Sequence, residues 1–276
     1  MDDNDKKELI KGLFDRVAAT YNTVGPRFFS YFGRRLAEQA MLRQGMKVLD
    51  IACGRGALLF EARELIGESG EAVGIDLSSA MVSETTREIL RRSLSNVKAV
   101  RMDAEHLYFP GGYFDRALCG FCLFFFQEPE VAVKEIFRVL KPGGAIALST
   151  WGKYDTRDWH IEIAKKYIPA APNQPKLVDR KFDEPEEVIA VLKTAGFTLM
   201  KFVEENKEFL YASEEEWWAT QNSHGIRATL EAVEKAAGKD GLERFKVEAM
   251  AHLNKLKTSD GYRQSMRVFY FIASKP

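Results

Sequence analysis

Only three cysteines, Cys53, Cys119 and Cys122, occur in 276 residues, an odd number that argues against a disulfide framework. No charge sign dominates: 40 Lys and Arg stand against 40 Asp and Glu, a formal net charge of zero. That balance removes any global attraction to phosphate backbones or anionic lipid, so no nucleic-acid partner is expected. The longest strongly apolar stretch, Phe121 to Phe126, is broken by Cys122. It falls far short of the roughly 20 residues that a membrane-spanning helix needs. The opening MDDNDKKE is acidic and has no apolar signal core, and the reading is a soluble cytoplasmic protein without a membrane span. Internal repeats and low-complexity segments are absent too.

What the chain does have, from Met46 onward, is an alternation of short apolar runs with helical periods, the mark of a parallel α/β sheet. Strands are expected at 47–51, 72–76, 97–102, 114–119, 145–150, 197–203 and 268–273. Helices follow most of them: 57–66, one capped by Ser78, one opened by Pro129, and 184–195. This predicts a Rossmann-like, seven-stranded, mostly parallel sheet with helices on both faces and a helical cap. The segments outside the alternation set the expected domains. Residues 1–45 form an N-terminal helical cap. Residues 46–210 and 264–276 form the core, with a lid at about 152–183 carrying Pro169, Pro172 and Pro175. Residues 211–263 form a helical substrate cap.

Chemistry concentrates in VLDIACGRGALL, Val48 to Leu59. Gly54 and Gly56 let the backbone turn sharply, and a helix starting near Ala57 aims N–H groups at an anion. A dinucleotide fingerprint needs G-x-G-x-x-G, whereas here the glycines are out of register and Asp50 immediately precedes them. A carboxylate at that place repels a pyrophosphate and suits an ammonium. Asp76, ending the second strand, can accept both hydroxyls of a ribose. Asp103, ending the third, can accept from an adenine amine. An amino acid joined to a nucleoside satisfies all three, and that ligand is S-adenosylmethionine. Any one of these Asp residues alone reads equally well as a turn or cap residue.

VLDIACGRG, GIDLSSAM, MDAEHLYFPGGYFD and LKPGG together resemble the class I S-adenosylmethionine-dependent methyltransferases, near the ubiquinone and menaquinone biosynthesis methyltransferases of the type 11 group. FDRVAATYN, Phe14 to Asn22, resembles the helix and Tyr-Asn that precede the core there. The resemblance implies that Asp50, Ala52, Cys53, Gly54 and Gly56 hold the methionine end and Asp76 the ribose. It implies Asp103, Ala104 and Glu105 at the adenine, with Leu77 and Met81 packed on it. Cys119, Gly120 and Phe121 would lie near the sulfonium, and Tyr21 would close over the cofactor. Ala52 stands where many members have glycine, which is acceptable if its φ stays negative.

The resemblance implies methylation of a small molecule at O, C or N, with S-adenosylhomocysteine as product. Because the sulfonium leaving group is already activated, holding a nucleophile about 3 Å from the methyl carbon is the main task. A base is needed only where a proton must leave early. The candidates are His160, Tyr21 and His224, with His106 less suggestively placed; a structural histidine is the plainer reading of each. Asp155 and Asp158 lack metal-ligand spacing, so no metal is expected. Cys119-x-x-Cys122 lacks a second ligand pair. Enzymes acting on DNA amino groups look like Asn/Asp-Pro-Pro-aromatic at the fourth-strand loop, where this chain has Cys119-Gly120-Phe121-Cys122. Phe121, Phe124, Phe125 and Phe126, with Trp151, Trp159, Trp217 and Trp218, suit a partly apolar or aromatic acceptor, or ordinary core packing. A binding module that does not methylate, a protein methyltransferase and, less favoured, a nicotinamide oxidoreductase are the competing readings.

Overall fold

The computed structural model describes residues 4–169 and 182–276. The chain forms two compact units. Unit 1 comprises Met1–Phe28, Lys153–Leu177 and Asn206–Arg267; unit 2 comprises Phe29–Gly152, Val178–Glu205 and Val268–Pro276.

Unit 1 opens with α1 (Asn4–Val17). Unit 2 takes up almost all of α2 (Phe28–Gln39), then β1 (Lys47–Ile51), α3 (Ala57–Ile66), β2 (Glu71–Asp76), α4 (Ser79–Arg91) and β3 (Val97–Arg101). It continues through β4 (Phe114–Gly120), α5 (Pro129–Val139) and β5 (Leu140–Trp151). The central strands are buried on both faces and read as apolar runs: Val48, Leu49, Ile51, Leu118 and Leu148 are all fully buried, whereas β3 exposes Lys98 and Arg101. Ser78 caps α4 by accepting the Met81 N–H at 3.1 Å, and Pro129 opens α5.

After β5 come α6 (Asp155–Tyr167), α7 (Pro185–Thr194), β6 (Thr198–Tyr211), α8 (Glu214–Gln221), α9 (Arg227–Leu253), β7 (Lys257–Thr258) and β8 (Gly261–Ser274). The sheet order is β3-β2-β1-β4-β5-β8-β6, with β7 paired to β8. β1 to β5 run parallel, and β8 lies antiparallel to β5 from Ala145↔Ser274 to Trp151↔Val268. The Rossmann-like fold is thus as expected from the sequence, with an eighth, two-residue strand added among the described residues.

Three differences are instructive. The segment read as a lid holds a helix, α6, whose buried positions His160, Ile163 and Ala164 recur at helical spacing. Pro172 and Pro175 lie outside the described residues. β6 and β8 are each 14 residues long, about twice the expected length, and the residues of both that lie within 206–267 belong to unit 1. And α2 packs within unit 2 rather than with the N-terminal helices. A Cβ on its Gly33 would come 3.2 Å from the Ala57 carbonyl oxygen, so α2 presses against the start of α3. The Glu205 carboxylate on β6 fastens α2 by accepting from Tyr31 Oη at 2.6 Å and Arg35 Nε at 3.2 Å, and Tyr270 Oη adds a third bond at 3.1 Å.

In unit 1 the core is aromatic. Trp217 and Phe245 are fully buried, and His160 lies nearly parallel to the Trp217 ring with centroids 5.3 Å apart. Trp217 donates its indole N–H to Gln264 at 3.1 Å. No helix of the described residues is long and apolar enough to cross a membrane.

Candidate active site

The C-terminal ends of β1, β2 and β4 converge in unit 2, where an open α/β sheet receives its ligand. The loop from Ala52 to Gly56 departs from β1 with left-handed φ at Ala52 (52°), Gly54 (53°) and Gly56 (80°). Gly56 has little alternative: a Cβ there would sit 2.5 Å from the Phe60 ring. Ala52 corrects the sequence expectation, since its φ is positive and its methyl group is strained against the backbone. Replacing Ala52 by glycine is expected to stabilise the protein by about 0.5–1 kcal/mol, once the greater freedom of unfolded glycine is subtracted. A denaturant midpoint unchanged or lowered in Ala52→Gly would contradict that.

One acidic side chain, that of Asp76, braces this loop. Asp76 Oδ2 accepts the Gly54 N–H and its Oδ1 the Ser78 N–H, both at 2.9 Å. Thr85 on α4 donates its hydroxyl to the Gly54 carbonyl at 2.7 Å, a contact that sequence reading missed. Its signal is helical: Thr85 follows Met81 by four residues on the buried face of α4. Asp50 is 1% exposed and takes a backbone hydrogen bond from Leu59, while its Oδ2 has no partner among the described residues. Burial, then the nearby charge of Asp76, pushes its carboxyl well above the usual carboxylate range.

Asp103 lies two residues beyond the end of β3, not on the strand, in a turn where its Oδ1 accepts the Glu105 N–H at 2.9 Å. Ala104 and Met81 are buried and Leu77 is half-buried. Glu105 faces elsewhere: its Oε1 accepts the N–H groups of Gln127 and Glu128 at 2.8 and 3.0 Å, satisfying donors at the start of α5. Its Oε1 therefore anchors the start of α5.

Cys53 and Cys119 are buried, and Cys119 Sγ lies 2.6 Å from Cys122 Sγ, inside the sheet layer. Burial pushes the Cys122 thiol well up. Past Gly120 the chain bends through Phe121, a bulky residue held at φ 54°. Its ring stacks on Trp151 with centroids 4.0 Å apart, and Phe29 and Phe32 of α2 meet both rings edge-on. Phe29 and Phe32 were not singled out from the sequence; the spacing of FFSYF, at the start of α2, is their only trace.

Tyr21, His160 and His224 belong to unit 1. Tyr21 meets the Phe14 ring edge-on at 6.1 Å, and His224 is edge-on to Phe28 at 5.5 Å. His160 is 2% exposed, hydrogen-bonds the Thr156 backbone and has no partner at Nε2 among the described residues. Burial, with like-charge repulsion from His224, lowers its pKa to about 3, and burial lowers His224 to about 4. Imidazoles so shifted are weak proton acceptors near neutral pH, and the ring stack gives His160 a packing role. No cluster of side chains suited to a metal ion occurs among the described residues.

Residues 48–144 match the model of a methyltransferase domain. Over 235 residues the chain is 31% identical to the nocamycin O-methyltransferase of Saccharothrix syringae, covering 80% of this chain and 84% of that protein. It is 36% identical over 150 residues to aklanonic acid methyltransferase DauC of Streptomyces sp. (strain C5), covering 54% of this chain and 68% of that protein. The [4+2]-cyclase SpnF has the same fold, with a TM-score of 0.57 at 22% identity over 90% of this chain and 80% of that one. So does YcgJ of Bacillus subtilis, with a TM-score of 0.59 at 18% identity over 89% and 98%. A left-handed glycine loop braced by the Asp76 carboxylate, on a sheet of this order and in a chain so similar to curated methyltransferases, leads to one assignment: the chain belongs to the class I S-adenosylmethionine-dependent methyltransferases.

Proposed function

We propose that the chain methylates a small, partly apolar or aromatic molecule at oxygen or carbon, with nitrogen as the less supported acceptor atom. The observation that carries this reading is the reach of the similarity. The match to an enzyme named a nocamycin O-methyltransferase spans 84% of that protein, well beyond the cofactor domain, and includes much of unit 1. Two further relatives are named for aklanonic acid and for C-methylation in ubiquinone and menaquinone biosynthesis. Residues 211–263, which the sequence pattern marks as a cap, are proposed to select the acceptor. A cytoplasmic location is part of the proposal, supported by three buried cysteines with no disulfide among them.

The residues present fit S-adenosylmethionine. Asp50 Oδ2 is a buried acceptor lacking a donor, which an ammonium would supply. Asp76 stands at the end of β2, where each carboxylate oxygen accepts one backbone N–H, and a carboxylate oxygen can accept more than one donor. When bound, the cofactor supplies an electrophilic methyl group on a positively charged sulfur. The chain's own contribution is to hold and to exclude: the loop fixes the amino-acid end, Asp76 the sugar, and Asp103 with Ala104 the base. Phe121, Trp151, Phe29 and Phe32 form a water-poor wall at the ends of β4 and β5. The two histidines read from the sequence as base candidates, His160 and His224, are too weakly basic near neutral pH to act as effective general bases, which favours acceptors that are already acidic, such as phenols or 1,3-dicarbonyl carbons.

A turnover screen following S-adenosylhomocysteine formation over phenols, quinols, dicarbonyl acids and amines tests the proposal. Turnover confined to phenols, quinols or dicarbonyls is expected. Turnover only with amines, or only with a protein substrate, would overturn it.

A further inference from the structure

Asp50 sits in an unusual place for an ionised side chain. In the sheet register its neighbours are Gly74 on β2 and Leu118 on β4, neither of which offers a hydrogen-bond donor from its side chain. α3 contributes one backbone N–H, from Leu59, and the loop contributes the buried thiol of Cys53. The charged group acting on it from β2 is Asp76, of like sign. Arg55, in the same loop, is directed to Glu84 at 3.3 Å. Cys122, beyond β4, is a neutral thiol whose own ionisation Asp50 opposes. Among the described residues one carboxyl oxygen therefore has no hydrogen-bond partner, in a side chain that is 1% exposed.

A lone carboxylate taken from water into such surroundings is disfavoured strongly enough that it takes up a proton instead. An incoming ammonium reverses the balance, because the charged pair with one fixed hydrogen bond replaces the lone charge. We propose that Asp50 is a neutral carboxylic acid in the ligand-free protein, and that docking of a ligand with a cationic amino group displaces its proton to solvent. This rests on the reading of the glycine loop as the seat of the amino-acid end. It makes the ammonium a condition of tight binding, so the site discriminates against the same nucleoside without the amino acid. It also makes affinity rise by about tenfold per pH unit wherever the free protein still holds that proton.

Titration calorimetry of the full chain with S-adenosylhomocysteine provides the test. It is run near pH 6, where the ligand's α-amino group, of pKa about 7.7–8.0 or higher, is charged before binding. Two buffers of different ionisation enthalpy give the number of protons exchanged. About one proton released per ligand is expected for the wild type, and none for Asp50→Asn, which binds at least about tenfold more weakly. 5′-Methylthioadenosine is expected to bind weakly and release no proton. Tight wild-type binding with no proton released, or the same release from Asp50→Asn, overturns the proposal and leaves the cofactor site standing. A folded wild-type protein that binds no S-adenosylhomocysteine overturns the site assignment itself.

Discussion

Asp76→Ala is expected to weaken S-adenosylhomocysteine binding by about 100-fold or more, equivalent to roughly two charge-assisted hydrogen bonds at 1.5–3 kcal/mol each. The effect has two sources. The carboxylate is the acceptor assigned to the ribose hydroxyls, and it also holds the Gly54 and Ser78 N–H groups that shape the loop and start α4. Alanine leaves both donors without this partner, at a stability cost of about 2 kcal/mol. Asp76→Asn separates the two sources, since its amide keeps one oxygen acceptor for the backbone while losing the charge. Calorimetry with the three proteins, alongside their unfolding midpoints, checks this. Unchanged affinity in a folded Asp76→Ala protein would remove Asp76 from the cofactor site.

Acid is expected to destabilise the chain through His160. Its folded pKa is lowered to about 3, below the ordinary imidazole value of 6.5, so the unfolded chain binds the proton more readily. The neutral-imidazole contribution is therefore fully present above about pH 6.5 and is lost progressively as pH falls toward 3. Between pH 7.5 and 5 the loss is about 2 kcal/mol for this residue. His224, lowered to about 4, acts in the same direction. His160→Phe keeps an aromatic ring against Trp217 and Phe245 but cannot titrate. Denaturant unfolding at both pH values should show a drop smaller by about 2 kcal/mol in His160→Phe than in the wild type. An equal drop in both would show that His160 is not the seat of the acid sensitivity.

The sheet was legible because buried parallel strands write themselves as apolar runs and their helices as amphipathic periods; β1 and α3 lie where the pattern put them, residue for residue. The glycine loop was legible for a related reason, since a turn that leaves a strand end is written in consecutive residues, and Gly54 and Gly56 do take left-handed φ there. What was illegible is non-local or conformational. The positive φ of Ala52 is imposed by the loop that Asp76 and Thr85 hold, and nothing in the residue type announces it. Glu105 looked like part of the adenine site from its place after Asp103, yet the start of α5, more than 20 residues away, claims its carboxylate. The Glu205 anchor joins residues 170 and more positions apart, and sequence spacing carries no trace of it. α6 was hidden by neighbouring prolines, which drew attention to loop character over a helical period that is present.

A crystal structure with S-adenosylhomocysteine tests the central claim most directly. The predicted result is a ligand whose ammonium lies within hydrogen-bond distance of Asp50 Oδ2 and whose ribose hydroxyls meet Asp76. A ligand seated elsewhere, or in this loop with neither carboxylate in contact, would contradict the account.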